Sequence, residues 1–429
     1  MKQWFAEMKN FLCLWLGQTA SQLGSRMTSL ALVIYSFTEE GTVMSVALLS
    51  LSAYLPEILF TFLGGSVADR WNRKMLMLSS DLIAALGTLT ILVLYRLNLL
   101  VTWHVYAVNL VVGMMNAFQA PAANAALSQI VPPRHYARAS ALQSLSNALN
   151  TMAAPALAAA VVGFGGLEWV LAIDLDTFAF CTLILLFFVR IPAIEHLSEK
   201  AARGGTVEGF RFLRNECPAL LRLILFFSVV NLLASMSGNG LMPAMVLART
   251  GGDELSMGLV SSCIGLGALL GSIAATLLPR PKHPLRIVFL CTAFSFALCD
   301  LLWGLGRSVP VWAFAAAAGN FPLPMLNANL TAVMRSQIPA DRQGRVFAAQ
   351  GTLQFCSIPL GYLLGGLLCD YVTEPLMQSS GWFARMFTPL TGSGSGAGIA
   401  VLFLLTGICG TLLSLAQLRK REYDSLEKT

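Results

Sequence analysis

Charge is what this chain lacks most. Of its 429 residues only 12% are Asp, Glu, Lys or Arg, against about 25% in a soluble globular domain. Histidine is scarcer still, with four residues, at 104, 135, 196 and 283, each standing alone. No HExxH, GxSxG or Cys–His metal spacing occurs, so zinc hydrolysis and serine acyl transfer lack a residue set. The nine cysteines (13, 181, 217, 263, 291, 299, 356, 369 and 409) contain no CxxC pair and sit mostly in apolar runs. They read as small buried hydrophobes rather than a disulfide framework or zinc site. The Gly392-x-Gly394-x-Gly396-x-Gly398 run has no GK[ST] and follows no strand, which removes a phosphate-loop reading. No enzyme, cofactor or nucleic-acid partner is expected.

What the chain has is length of apolar run. Hydrophobic residues make up 56%, and mean hydropathy is +0.68. Twelve runs are long enough to span hydrocarbon: 11–38, 43–68, 74–96, 100–130, 136–163, 168–190, 218–246, 255–278, 285–306, 309–334, 343–370 and 396–418. A spanning helix needs about 20 residues. Connections such as Glu39-Glu40-Gly41-Thr42 leave no room for soluble domains. The first run carries Gln18, Ser21, Gln22 and Arg26 without a small-residue cleavage site, and reads as a retained span rather than a signal peptide. The expected fold is an all-α membrane protein of twelve transmembrane helices.

Alternating the connections puts 23 Lys and Arg on one side, and only Arg96, Arg249, Arg307 and Arg385 on the other. The positive-inside rule then makes both termini cytoplasmic, in a cell-membrane protein. Internal repeats divide the spans. Phe118-x-x-Pro121-x-x-Asn124-Ala125-x-Leu127 recurs as Phe321-x-x-Pro324-x-x-Asn327-Ala328-x-Leu330, an offset of 203. Gly65-Ser66-Val67-Ala68 recurs as Gly271-Ser272-Ile273-Ala274 at 206, and Arg138 to Gln143 aligns with Arg345 to Gln350 at 207. Three matches at nearly one offset, each six spans apart, predict two pseudo-symmetric six-helix halves, 1–190 and 218–429. Between them, 191–217 forms a polar joint. Its Val207, Phe210 and Leu213 share a helical face, which leaves open an interfacial helix on the inner leaflet or a solvated linker.

One acid and three bases are packed into the ten residues Gly65-Ser66-Val67-Ala68-Asp69-Arg70-Trp71-Asn72-Arg73-Lys74, between two apolar runs. This pattern resembles the loop between helices two and three of major facilitator transporters. A narrower resemblance, to the third drug–proton antiporter family with its macrolide efflux proteins and enterobactin exporter, rests on four segments. They are Gln22-Leu23-Gly24-Ser25-Arg26-Met27-Thr28, Ser80-Asp81-Leu82-Ile83, Ile173-Asp174-Leu175-Asp176-Thr177-Phe178 and Asp370 to Met377 with its glycine follow-on. The likeness implies a major facilitator fold, exchange of protons for a small-molecule substrate within the lipid bilayer, and a monomer. Departures are Ala84 where the family often has Arg, the reduced glycine pattern after Ala154-Pro155, and Ala275 where the repeat would place a second Asp69.

Coupling transport to protons requires a group whose protonation biases the conformation, and a carboxyl in a low-dielectric interior is suited to that task. Ionisable residues inside spans are Arg26, Glu57, Asp81, Asp174, Asp176 and Asp300. An unpaired charge there is costly, so Arg26 is expected to share a cluster with Glu57 or Asp174; a purely structural ion pair is the competing reading. Asp174 and Asp176 are about 200° apart on a helix, so one of them faces a cavity, and Asp174 is preferred. Asp81 is expected to brace the loop bases and Asp300 to be interfacial. Trp103, Trp169, Trp303 and Trp382 read as interface anchors. Asn116, Gln119, Asn150 and Gln350 are expected to line the cavity. Gly65, Asp69, Arg70, Arg73 and Lys74 are expected to gate it, with Asp69 meeting the helix start near 341–345. The expected function is proton-coupled export of amphipathic small molecules. A lysophospholipid-like substrate and a non-transporting scaffold or receptor are the alternatives.

Overall fold

The computed structural model describes residues 2–189, 205–279, 281–339, 342–420, 423 and 426. Among the described residues there is no strand. That follows from the solvent: hydrocarbon offers no partner for backbone N–H and C=O groups, so each span bonds internally as a helix. The helices are α1 (Lys2–Glu40), α2 (Val43–Arg70), α3 (Arg73–Arg96), α4 (Thr102–Ile130), α5 (Tyr136–Phe187) and α6 (Gly205–Asn215). They continue as α7 (Pro218–Ser235), α8 (Met242–Thr250), α9 (Glu254–Leu277), α10 (Pro284–Leu298), α11 (Asp300–Leu305) and α12 (Val309–Asn320). The last are α13 (Leu323–Gln337), α14 (Gln343–Phe355), α15 (Ser357–Leu368), α16 (Glu374–Gln378), α17 (Trp382–Thr391) and α18 (Ala397–Gln417). Nine helical stretches among the described residues are long and apolar enough to cross a membrane.

α5 is two helices in one run. Gly166 sits at φ +74°, ψ −175°, a backbone state that glycine adopts without penalty, and the chain reverses there. α7 and α8 are joined by a π turn, Met236–Leu241, packed against the glycine face of α15. A Cβ at Gly361 would lie 2.0 Å from the Ser235 hydroxyl and one at Gly365 2.8 Å from the Met236 carbonyl.

The chain forms two compact units. The first comprises Met1–Gly41, Leu48–Leu197 and Gly252–Ser262; the second comprises Thr42–Ala47, Ser198–Gly251 and Cys263–Thr429. Two short segments, 42–47 and 252–262, therefore group with the unit opposite to the one their sequence position suggests. In the first unit α1 lies along α5, and α3 packs on α4 and α5. Met27, Leu32, Ile91, Val105, Ala158 and Leu171 fill part of that interface. In the second unit α10 packs on α13 and α18. Phe289 of α10 meets Phe226 edge-on and Tyr423 at a tilt, with ring centroids 5.3–5.5 Å apart.

Three local expectations change. α6 adds a protein contact that the sequence did not suggest. It docks on α14, where Gly209 meets the Arg345 carbonyl, Glu208 pairs with Arg345 at 2.7 Å, and Phe212 and Leu213 are buried. Trp303 is 2% exposed and stacks on Phe403 rather than anchoring an interface, whereas Trp103, Trp169 and Trp382 are 61–73% exposed. Asp300, expected to be interfacial, is 5% exposed, with its Oδ2 unpartnered.

Candidate functional site: a polar cavity in the first unit

The glycine loop before α18 has a structural role. Gly392, Gly394 and Gly396 all have positive φ, and Glu374 accepts from the N–H groups of Gly396 and Gly398 at 3.0 and 2.8 Å. Arg249 donates to the carbonyls of Gly306 and Thr391. The loop is a capped helix start.

The chemistry lies in the first unit, where α1, α2, α3, α4 and α5 line an open cavity of about 690 Å³. Its wall gathers Arg26, Glu57, Asp81 and Asp174, with Asn109, Asn116, Gln119 and Asn147 among the amides. Of the expected cavity residues, Arg26, Glu57, Asp174, Asn116 and Gln119 meet here. Asn150 does not line it; it is 2% exposed and donates to the Thr19 carbonyl at 3.3 Å. Gln350 belongs to the second unit and donates to Gln354 Oε1 at 3.1 Å.

Asp174 is the most completely enclosed of these groups, at 1% exposure. Its Oδ2 accepts from Thr28 Oγ1 at 3.0 Å and Thr88 Oγ1 at 3.1 Å, and its Oδ1 accepts from Ser25 Oγ at 3.3 Å. All its side-chain partners are hydroxyls. A hydrogen bond to a charged group contributes about 1.5–3 kcal/mol, so three are of the same order as the several kcal/mol it costs to bury an ion. The carboxylate is thereby held by α1 and α3 without a cation. Gly24 permits the approach: a Cβ there would lie 2.9 Å from Asp174 Oδ1. Asp176 is exposed and does not line the cavity.

Arg26 shares the cavity wall with Glu57 and Asp174 but, among the described residues, bonds to neither. It donates to Thr151 Oγ1 at 2.9 Å. Thr151 on α5 lies within its reach, and hydroxyls take three of the roughly four acceptor positions of Asp174. Asp81, expected to brace the loop bases, is turned into the cavity and is 2% exposed. It accepts from Gln119 Nε2 and from Cys181 Sγ. It stands seven and eight residues beyond Lys74 and Arg73, about 10–12 Å along the axis, which puts it beside α4 and α5 rather than beside the bases. Lys74 of the loop donates to the carbonyls of Leu186 and Val189 at the end of α5. Arg73 is buried at the start of α3. The side chains of Asp69 and Arg70, Gly65 and Asp341 lie outside the described residues, and so does the expected latch between Asp69 and 341–345.

A helical membrane protein with ionisable and amide side chains gathered on a cavity wall among its spans has the build of a solute transporter. The profile of the Major Facilitator Superfamily matches residues 14–361, and the chain belongs to that family. It is 25% identical over 369 residues to macrolide efflux protein A of Streptococcus pyogenes, covering 84% of this chain and 90% of that one. It is 26% identical over 364 residues to the multidrug efflux pump Tap of Mycolicibacterium fortuitum, covering 81% and 86%. A crystal structure of a point mutant of the nucleoside transporter NupG superposes with a TM-score of 0.70 at 14% identity, covering 96% of this chain and 99% of that one. An inward-facing bacterial homologue of the iron transporter ferroportin gives 0.69 at 14%, covering 95% and 98%.

Proposed function

We propose that this protein is a proton-coupled antiporter that exports amphipathic small molecules, macrolide-like drugs or secreted metabolites, by alternating access. It acts as a monomer in the cell membrane with both termini cytoplasmic. The observation that carries the reading is Asp174: a buried carboxylate on a cavity wall, bonded by hydroxyls from two other helices and by no cation. Ionised, it accepts all three bonds. Protonated, it becomes a donor through one oxygen, and one of the hydroxyls must turn to accept from it. Proton binding thus changes what ties α1 and α3 to α5, and a change in that junction is what an alternating cycle requires. Export is favoured by the names that the relatives at 25–26% identity carry. Glu57, Asp81 and Arg26 are the remaining ionisable groups of the cavity, and the loop from Gly65 to Lys74 gates it.

The test is accumulation of radiolabelled erythromycin in cells expressing the wild type, Asp174→Asn or Glu57→Gln, with and without a protonophore. Wild-type cells keep internal erythromycin low until the protonophore is added, and Asp174→Asn cells fill like cells with empty vector. Export that ignores the protonophore, or that survives Asp174→Asn, overturns proton coupling through this residue. Unchanged export by Glu57→Gln removes Glu57 from the mechanism.

A further inference from the structure

Three helices of the first unit repeat their polar residues at one spacing. α3 carries Asp81 and Thr88, α5 carries Asp174 and Cys181, and α1 carries Gln18 and Ser25; each pair is seven residues apart. Seven residues are almost two whole turns, so each pair shares a face, with its members about 10 Å apart along the axis. The bonds confirm two levels. At one, Ser25 and Thr88 meet Asp174. At the other, Gln18 Nε2 donates to Cys181 Sγ at 3.6 Å, Cys181 donates to Asp81 Oδ2 at 3.8 Å, and Gln119 donates to Oδ1. Each level holds one carboxylate, 1–2% exposed, and both carboxylates line the same cavity.

We propose that Asp81 is a second proton-carrying carboxylate of the transport cycle, loaded and emptied through the same cavity as Asp174. The proposal rests on the reading of the protein as a proton-coupled exporter. A role as helix glue does not account for the residue. Asparagine would accept the same bond from Gln119 and offer its amide to the sulfur, without burying an ionisable group. The bonded partners of Asp81 are an amide and a thiol. The other ionisable groups on the cavity wall are Arg26, engaged with Thr151, and Glu57 and Asp174, both acids. On α3 itself, Arg73 and Lys74 lie about two turns away, and Lys74 is bonded to carbonyls of α5. Each carboxylate takes a proton from a hydronium ion and leaves water. On release the proton returns to water, so two protons cross per substrate molecule expelled.

Two measurements on the full-length protein decide it. In pyranine-loaded proteoliposomes exporting erythromycin, Asp81→Asn moves about half as many protons per erythromycin as wild type, and Asp81→Glu restores the wild-type ratio. A ratio unaltered by Asp81→Asn overturns the proposal. Dicyclohexylcarbodiimide, which adds to protonated carboxyls, supplies the second readout by mass spectrometry. The Asp81 peptide is labelled in acidic buffer and spared in alkaline buffer, in wild type and in Asp174→Asn alike. An Asp81 peptide that stays unlabelled in acid while Asp174 is labelled also overturns the proposal. If wild-type proteoliposomes move no erythromycin, the functional reading falls, and the carbodiimide result alone decides the fate of Asp81.

Discussion

At Gly24 the helix α1 passes α5 so closely that a methyl group has nowhere to go. A Cβ built there lies 2.3 Å from Thr177 Oγ1, 2.9 Å from Asp174 Oδ1 and 3.1 Å from Asp174 Cα. Unbonded heavy atoms settle at about 3.5–4.0 Å, so Gly24→Ala demands a displacement of roughly an ångström. Nothing nearby yields cheaply. Thr177 Oγ1 is pinned by its 2.8 Å bond to the Asp174 carbonyl, and the Asp174 side chain by its three hydroxyls. Overpacking of this kind costs about 1–3 kcal/mol. If α1 retreats instead, the Ser25 and Thr28 bonds lengthen, each contributing about 1.5–3 kcal/mol as a bond to a charged acceptor. Thermal unfolding of the detergent-purified protein, followed by tryptophan fluorescence, reads the stability loss, and erythromycin accumulation reads the site. Gly24→Ala is expected to lose both. Adding Thr177→Ala removes the shortest contact and returns about 1 kcal/mol, a coupling of the size neighbouring residues show. The control is Gly163, in an α-helical stretch, where a Cβ meets nothing within 4 Å; Gly163→Ala is neutral or stabilising by about 0.5–1 kcal/mol. A Gly24→Ala protein that unfolds and transports like Gly163→Ala refutes the reasoning.

Two further predictions concern the ends of the helices. Hydrogen bonds from His135 first and Arg134 second hold the Glu7 carboxyl below its usual range. A lowered carboxyl pKa stabilises the fold above the unfolded value and loses that contribution as pH falls through the folded one. The melting difference between wild type and Glu7→Gln should therefore be full at neutral pH and shrink on acidification below about 4.5, the unfolded value; a constant difference contradicts the assignment. Within the second unit, Asp370 caps the first turn of α2, accepting from the N–H groups of Val43 at 3.1 Å and Met44 at 2.7 Å. Losing such a cap costs about 1 kcal/mol. Hydrogen exchange of those two amides should speed up about fivefold in Asp370→Ala, and unchanged exchange would remove the cap from the account.

Much of the fold was legible because the bilayer leaves few solutions: apolar runs of spanning length must be helices, and the Gly163–Gly166 cluster falls where α5 breaks. Asp174 was legible as an intramembrane acid whose neighbour Asp176 points elsewhere. What the sequence misplaced depended on position along and around the helices. Asp81 is close in sequence to the loop bases, but two helical turns carry it about 10 Å along the axis to Gln119 and Cys181. Arg26 is level with acids on other spans yet reaches Thr151. Asp300 and Trp303 lie near a predicted span end, where one-dimensional position suggests an interface, yet α10, α12 and α18 pack against α11 and bury both. Glu374 stood in a quoted motif without a role, because its partners, the amides of Gly396 and Gly398, become neighbours only after α16 and α17 turn back.

The repeat explains why scaffold and chemistry were not equally readable. The elements that recur at offsets of 203–207 are packing elements, and in the second unit two of them touch: a Cβ at Gly271 would lie 1.9 Å from the Phe321 carbonyl. One turn earlier, Gly267 meets the Ala317 carbonyl in the same way. The ionisable positions on the cavity wall do not recur. At those offsets Arg26 maps to 229–233, Glu57 to 260–264, Asp81 to 284–288 and Asp174 to 377–381. These windows contain no acid, and Arg286 is their only base. Duplication supplied two copies of a helix bundle whose glycines let backbones approach, while the carboxylates with their hydroxyl and thiol donors belong to one copy. A substitution that removes charge from the first unit therefore has no twin in the repeat to compensate for it. Asp81 and Asp174 are accordingly the positions where an isosteric amide, which leaves volume and packing nearly intact, should separate transport from folding.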